Sequence, residues 1–458
     1  MKINNNISAV ITNKQLLRTE DTLAASMERL SSGLRINHAK DDPSGMAIAG
    51  KMNAQIDGLS RASRNSSDGI SVLDTADGAL TEVTSMLQRM RELSVQAANG
   101  TMSENDRAAI QKEIGNLVEE IDRISEATEF NTKTLLDGSL SNRVYGDHFT
   151  RPTPSSTVEA GFYNFTVNAA AEQASVQIDV TNGLTYPITA DQAGSITING
   201  AAAMIEAGMS KEDVIGSIRD AAEIGGALIE ITGDGDKVTV KSEYYGVNEH
   251  VDVVSNTTLV LPAGAAHKTG KNAEITMDTA DSLFKDHPTA TIKHEGNHIT
   301  FTDVEGFSLS MKLEEKFKGA IKCEVTDIGP MDLQVGANMG QQITVRIPSI
   351  SSEYLYLDEV DVSKVGGPER AMTRLDEALA TVNDIRANLG AYTNRLEYTV
   401  SSLNATHENM NSAISRIADV DMATEMVEYT KDNVLQQAGP SALSQANELP
   451  QMALQLLQ

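Results

Sequence analysis

The sequence predicts an α + β multidomain protein: a long, coiled-coil-like helical bundle formed by the N- and C-terminal regions, with one or two outer α + β domains inserted between them. Three observations predict it. Apolar residues recur at spacings of three and four through both ends. The middle carries short β-branched runs broken by Gly, Asn and Asp. Aromatic residues make up only 4% of 458 residues, with no Trp, which favours aliphatic helical seams over aromatic-centred globules.

At the N-terminal end, Ile3, Ile7 and Val10 are followed by Leu23, Met27, Leu30 and Leu34, an a/d spacing. Asp41-Asp42-Pro43-Ser44-Gly45 interrupts it, because Pro43 lacks an amide donor and disfavours helix at Asp42. A second helix, from about Ser44 to Asn99, is striped by Leu73, Ala76, Leu80, Val83, Leu87 and Met90. At 1.5 Å per residue it would be about 80 Å long. Asn99-Gly100 marks its end. Ser103 with Asp106 resembles a capping box opening a third, antiparallel helix striped by Ile110, Ile114, Leu117, Ile121 and Ile124.

Past Arg143 the period changes. Ile196-Thr197-Ile198 before Asn199-Gly200, Val238-Thr239-Val240 and Ile299-Thr300-Phe301 read as strands. One helix is expected near Lys211–Ala222, with Ser210 as its N-cap. Ile343, Val345 and Ile347 alternate as a returning strand. After Gly366-Gly367-Pro368 a long helical stripe runs through Leu375, Leu379, Val382, Ile385, Leu389, Tyr392, Leu396, Val400 and Leu403 to Met410, Ile414 and Ile417. His407 falls in register with it as a satisfied seam residue. The inner parts of the two ends thus satisfy each other as a bundle.

Composition excludes several classes. A net charge of −27 argues against nucleic acid, which needs a basic surface. Residues 141–330 hold 14 Lys+Arg and 27 Asp+Glu, a net of 14 − 27 = −13. The two ends differ in sign: Lys2, Lys14, Arg18, Arg29, Arg35 and Lys40 outnumber Glu20, Asp21 and Glu28 in the first 40 residues, whereas Asp419, Asp421, Glu425, Glu428, Asp432 and Glu448 face Lys431 in the last 40. Such ends should attract. The polar start Met1-Lys2-Ile3-Asn4-Asn5-Asn6 lacks the apolar core of a secretory signal, and no run of about 18 apolar residues predicts a membrane span. The single cysteine, Cys323, excludes an intramolecular disulfide and is expected to be a small buried residue. The 18 methionines fit adaptable packing along the stripes. No Gly-rich phosphate loop or nucleophile triad is present, so no catalytic residue and no cofactor are assigned.

The stretch Leu30-Ser31-Ser32-Gly33-Leu34-Arg35-Ile36-Asn37, continuing through Ala39, Asp41-Asp42 and Gly45-Met46-Ala47-Ile48, closely resembles the N-terminal region of bacterial flagellin. So do Leu87-Gln88-Arg89-Met90-Arg91-Glu92-Leu93, Ala98-Asn99-Gly100-Thr101 and Gln334-Val335-Gly336-Ala337-Asn338-Met339-Gly340-Gln341. Leu435-Gln436-Gln437-Ala438-Gly439, Gln445-Ala446-Asn447 and Pro450-Gln451 resemble the flagellin C-terminus. The resemblance implies residues 1–42 and 419–458 as the two parts of a filament-core helical domain, 43–142 and 330–418 as the two parts of a rod domain, the latter opening with a β-hairpin, and 143–329 as the variable outer insert.

It also implies a helical homopolymer built by heterologous contacts, whose seam would contain Ile3, Ile7, Leu23, Met27, Leu30, Leu34, Val434, Leu435, Leu443, Leu449, Leu454 and Leu457. In a free subunit these ends would lack burial and be poorly ordered. Export by the flagellar type III apparatus with a chaperone, an extracellular location, and contact with hook-associated and cap proteins are further implications. The family's Toll-like receptor 5 surface maps onto Arg89, Leu93 and Glu113. Arg89 and Leu93 lie at i and i+4, an arginine beside an apolar anchor.

Two alternatives are weighed against the filament subunit. A hook-filament junction protein would have similar ends, but the Leu435–Gly439 segment favours flagellin. A filament-displayed zinc peptidase is suggested by His294-Glu295-Gly296-Asn297-His298, which fits H-E-x-x-H. That motif works only on a helix, where both histidines share a face. Here Gly-Asn sits at its centre between alternating flanks, so it reads as a hairpin turn, and no metal is assigned to His294, Glu295 or His298.

Overall fold

The computed structural model describes residues 6–155, 157–181, 184–232, 237–256, 266–279, 282–304, 306–364 and 366–455. Six α-helices frame it: α1 (Ile7–Ser32), α2 (Pro43–Ala97), α3 (Glu104–Ala127), α4 (Lys211–Ile224), α5 (Gly367–Ala418) and α6 (Met422–Gln455). The chain forms two compact units, one of residues 1–67, 334–342 and 397–458, the other of residues 68–333 and 343–396.

In the first unit α1 lies antiparallel to α6. Asn6 Nδ2 donates to the Ala446 carbonyl at 2.9 Å, Arg29 meets Glu425 at 3.6 Å, and Leu34 bridges Asp419. Within one chain the outermost segments thus pair along one face of each helix. The pairing follows a heptad that an apolar-only reading misses. On α1 the covered positions are Ala9, Thr12, Leu16, Thr19, Leu23, Ser26 and Leu30; on α6 they are Glu425, Tyr429, Asp432, Gln436, Gly439, Leu443 and Ala446. Both sets step by three and four. Small side chains permit the close approach, and Leu16 fills the space where a Cβ on Gly439 would stand, with Leu16 Cδ1 2.5 Å away. The N-terminal half of α2 and the C-terminal half of α5 add a small core of Leu59, Ala62 and Leu403, with Ala337 packed against it.

The break between α1 and α2 is built locally. Gly33 adopts φ 72°, and the Asp42 carboxylate accepts from the Gly45 amide at 2.8 Å, capping the helix that Pro43 opens. At its other end α2 stops at Ala97 without a left-handed glycine; Gly100 takes no positive φ, and the Asn99 side chain accepts from the Thr101 amide instead.

In the second unit the predicted stripes are buried: Leu73, Ala76, Leu80, Val83, Leu87 and Met90 of α2, Ile110, Ile114 and Ile121 of α3, Leu375, Val382, Ile385, Leu389 and Leu396 of α5. Leu117, Ile124 and Leu379 are half-buried at the stripe margins. Arg91–Asp376 at 2.5 Å and Arg386–Asp77 at 2.8 Å tie α2 to α5. The capping box at Ser103 is complete, and a second one at Ser210 opens α4.

The strands of this unit, from Arg143 to Thr326, enclose two cores. Antiparallel sheets ordered Glu274–Met277, Gly161–Ala169, Gly319–Thr326, Arg143–Gly146 and Thr291–Glu295, His298–Thr302, Ser308–Leu313, Phe149–Pro154 share Tyr163, Phe165, Phe301, Phe307, Leu309 and Cys323. Tilted Phe165 and Phe301 rings 5.2 Å apart bridge them. The other core joins α4 to the sheets Ala266–Thr269, His250–Ser255, Gly194–Ile198, Ala201–Ile205 and Gln173–Asp179, Lys237–Tyr245, Ala227–Thr232 through Ile178, Ile198, Ile218, Val240 and Val253. Asn199 and Gly200, both at positive φ, make the two-residue turn their sequence predicts.

Candidate functional site

Pairing α1 with α6 through a heptad that mixes leucine with small and polar side chains leaves many of their apolar residues on the outside. Ile7, Val10, Ile11, Leu17 and Met27 of α1, and Val427 and Val434 of α6, are each more than half exposed, and Met422, Met426 and Leu435 are nearly so. An ordinary soluble coiled coil buries such residues and exposes its polar ones. Here Leu16, Leu23, Leu30 and Leu443 are covered but these ten remain exposed, and large apolar residues left exposed in such number mark an interface.

The predicted seam residues separate on this geometry. Ile7, Met27, Leu34, Val434 and Leu435 point outward, whereas Leu23, Leu30 and Leu443 fall on the covered heptad between α1 and α6. Met27 and Leu34 therefore do not share a face with Leu23 and Leu30 as their spacing suggested. Ile3 and Leu457 lie outside the described residues, and of Leu449 and Leu454 only the helical backbone is described. Sequence reasoning missed Ile11, Leu17, Met422, Met426 and Val427 as outward residues.

Among the described residues one ion pair, Arg29–Glu425 at 3.6 Å, joins α1 to α6. The Arg35 guanidinium donates to the Ile417 carbonyl at 2.6 Å, at the last turn of α5, where the helix dipole is negative. Glu425 is buried, its Oε1 makes no hydrogen bond, and its partner is Arg29. Asp421 accepts from the Ala423 and Thr424 amides, which hold its carboxyl below the usual range and open α6. The opposite signs of the two ends thus act within the chain.

The second candidate surface lies on α2 and α3. Arg89 is half exposed and donates to Glu113 at 2.9 Å and Glu92 at 3.3 Å; the Glu113 hydrogen bond raises its pKa further. Leu93 is different. At 2% exposure it belongs to the core, so it is no surface anchor beside Arg89: one helical turn from an exposed arginine is close enough to the stripe of α2 to face inward.

The H-E-x-x-H segment is a hairpin. Glu295 pairs with His298 across Gly296, at φ 64°, and Asn297, while His294 pairs with Ile299. Each polar end has other duties. Glu295 binds Arg374 at 3.0 Å, His298 lies 3.3 Å from Glu359 and edge-on to Tyr356, and the histidines do not share a helical face. His407 sits half-buried on α5, its ring nitrogen 3.1 Å from Asn411 Nδ2.

The bacterial flagellin N-terminal helical region matches residues 3–141, and the bacterial flagellin C-terminal helical region matches residues 372–457. A flagellin of Clostridium tyrobutyricum is 34% identical over 456 residues, 98% of this chain and 100% of the relative. Flagellin A of Vibrio cholerae is 32% identical over 466 residues, 100% of each. Among solved structures, FliC from Burkholderia pseudomallei is 18% identical over 71% of this chain and 99% of its own, with a TM-score of 0.25, a likeness too loose to carry an argument.

Proposed function

Since this chain belongs to the bacterial flagellin family, a structural subunit of the flagellar filament, we propose that the outward face of the α1–α6 pair is its polymerisation surface. The observation that carries this reading is the apolar residues that pair leaves exposed: Ile7, Val10 and Ile11 on α1 and Val427, Val434 and Leu435 on α6 stand in water. Polymerisation removes them from it, at roughly 25 cal/mol per Å². The contact is heterologous, one copy's face against a different surface of the next, so it propagates into a fibre. Residues 1–42 and 419–458 form the filament core in this reading, 43–142 and 330–418 the rod, and 143–329 the outer insert. Replacing Val434 and Leu435 by Asp is expected to abolish filaments in electron micrographs of salted solutions while leaving the far-UV spectrum unchanged. Normal filaments from that variant would sink the assignment, as would filaments from a chain trimmed by about 40 residues at either end.

The remaining partners belong to the same reading. The subunit is exported by the type III apparatus with a chaperone, assembles outside the cell, and meets hook-associated and cap proteins at the filament ends; no described helix is long and apolar enough to cross a membrane. Full-length flagellin relatives favour this over a hook-filament junction role.

Toll-like receptor 5 recognition is the second reading, favoured by the exposed Arg89 and Glu113 on adjacent helices. Leu93, buried in the core, is no part of that surface. The receptor must replace the carboxylates that Arg89 already holds. Titrating monomer against the receptor ectodomain tests this: Arg89→Ala should weaken binding about tenfold or more, as a hot-spot arginine does, and unchanged affinity removes the residue from the site.

A further inference from the structure

We propose that His250 and His267 chelate one divalent transition-metal ion on the exposed face of the outer sheet, with Asp252 positioning His267. The two histidines are brought together only by strand register. His250–Ser255 pairs antiparallel with Ala266–Thr269, placing Asp252 opposite His267 and His250 opposite Thr269. His250 and Asp252 are two residues apart on one strand, so their side chains share a face, and His267 meets both, one directly and one diagonally.

The imidazole rings stand 5.7 Å apart, tilted by 35°. Two imidazoles bound through nitrogen at about 2.1 Å to one tetrahedral ion have ring centres about 5 Å apart. Side-chain rotation closes that gap without moving the backbone. The backbone itself is fixed: Val251 and Val253 are buried beneath, and Asn199 donates its amide to the Asp252 carbonyl at 2.9 Å while its side chain accepts from the Asp252 amide at 2.8 Å.

Asp252 also settles which nitrogen is available. In the neutral imidazole its carboxylate Oδ1 accepts from the His267 Nδ1–H, and the lone pair is then on Nε2. A carboxylate behind a ligating histidine orients the ring and raises its basicity. His250 Nε2 lies 3.8 Å from Asp252 Oδ2, beyond hydrogen-bond reach, so its ring is free to turn. The side chains of His250, Asp252 and His267 are 54%, 43% and 63% exposed, open to an ion that keeps waters on its remaining positions. Among the described residues no three His, Cys, Asp or Glu side chains are grouped to hold a metal ion, so the chelate has two protein ligands only. Imidazole nitrogen selects Zn²⁺, Ni²⁺ or Cu²⁺ over Mg²⁺ and Ca²⁺. The net charge of −13 over residues 141–330 draws cations toward it.

Calorimetric titration of ZnCl2, and of NiCl2, into the full-length monomer tests the site. One saturable equivalent is expected, weakened at least tenfold in both His250→Ala and His267→Ala and unchanged in the double control His38→Ala, His148→Ala. Asp252→Asn should weaken it about tenfold, with Asp252→Glu restoring much of the loss. Circular dichroism confirms that each variant is folded, as substitutions of exposed side chains should be. Absence of saturable binding, or loss in only one histidine variant, overturns the chelate; full affinity in Asp252→Asn overturns the positioning role.

Discussion

The Glu359 side chain is only 7% exposed, yet it accepts a hydrogen bond from Lys312 Nζ at 2.6 Å and lies 3.3 Å from His298 Nε2. Its Oε2 makes no hydrogen bond and faces Arg374 at 3.7 Å. Burial alone would raise its pKa; the hydrogen bonds and charges of His298 and Lys312 outweigh that and bring it from an ordinary 4.5 to about 2. Because the folded value lies below the unfolded one, the stability Glu359 contributes is complete above pH 4.5 and disappears as pH falls toward 2. At about 1.4 kcal/mol per unit this is roughly 3 kcal/mol. Glu359→Gln should therefore cost about 3 kcal/mol in urea unfolding at pH 7 and much less near pH 2.5; an equal cost at both would exclude the carboxylate as the cause. Leu93 teaches a complementary lesson at this scale. Its identity and spacing were legible, but whether it faced solvent or the core depended on where α3 and α5 pack around α2, which i,i+4 spacing does not encode. The proximity of His250 and His267 was equally hidden, since strand register alone makes it.

Local chemistry made many of the elements legible. The capping boxes at Ser103 and Ser210 and the turns at Asn199-Gly200 and Gly296-Asn297 are written in adjacent residues, and the structure forms each of them. Ser103→Ala removes a cap that α3 needs at a solvent-facing end, so an unfolding cost of about 1 kcal/mol is expected in denaturant titration; no measurable change would mean the end frays natively. The pairing of α1 with α6 was less legible because its heptad alternates leucine with Thr, Ser, Gly and acidic residues, so a search for apolar spacing drifted onto Met27 and Leu34. Gly439 offers the sharpest test of that pairing. A methyl group there would displace only the flexible end of Leu16, so Gly439→Ala should be tolerated, whereas Gly439→Leu should separate the helices and expose both to limited proteolysis. Equal protease resistance in the two variants would argue against the seam.

For the whole molecule, the decisive quantity is a charge of −27 on every copy that must approach another. Apolar attraction across the outward face acts at contact, while repulsion acts over the Debye length, about 30 Å at 0.01 M salt and about 10 Å at 0.1 M. Light scattering should therefore show the critical concentration for polymerisation falling steeply between those salt concentrations, then levelling as screening saturates; a salt-independent threshold would mean that the contact surfaces are locally neutral despite the total. The same molecule contains one thiol, Cys323, fully enclosed in the insert and pushed by burial up to a pKa of about 12. A sealed, protonated sulfur does not attack electrophiles at neutral pH. A cysteine introduced at Val304, which is 88% exposed, would then be the single position a maleimide dye can reach, so a filament assembled from Val304→Cys subunits would become an evenly spaced fluorescent ruler without the native cysteine having to be removed.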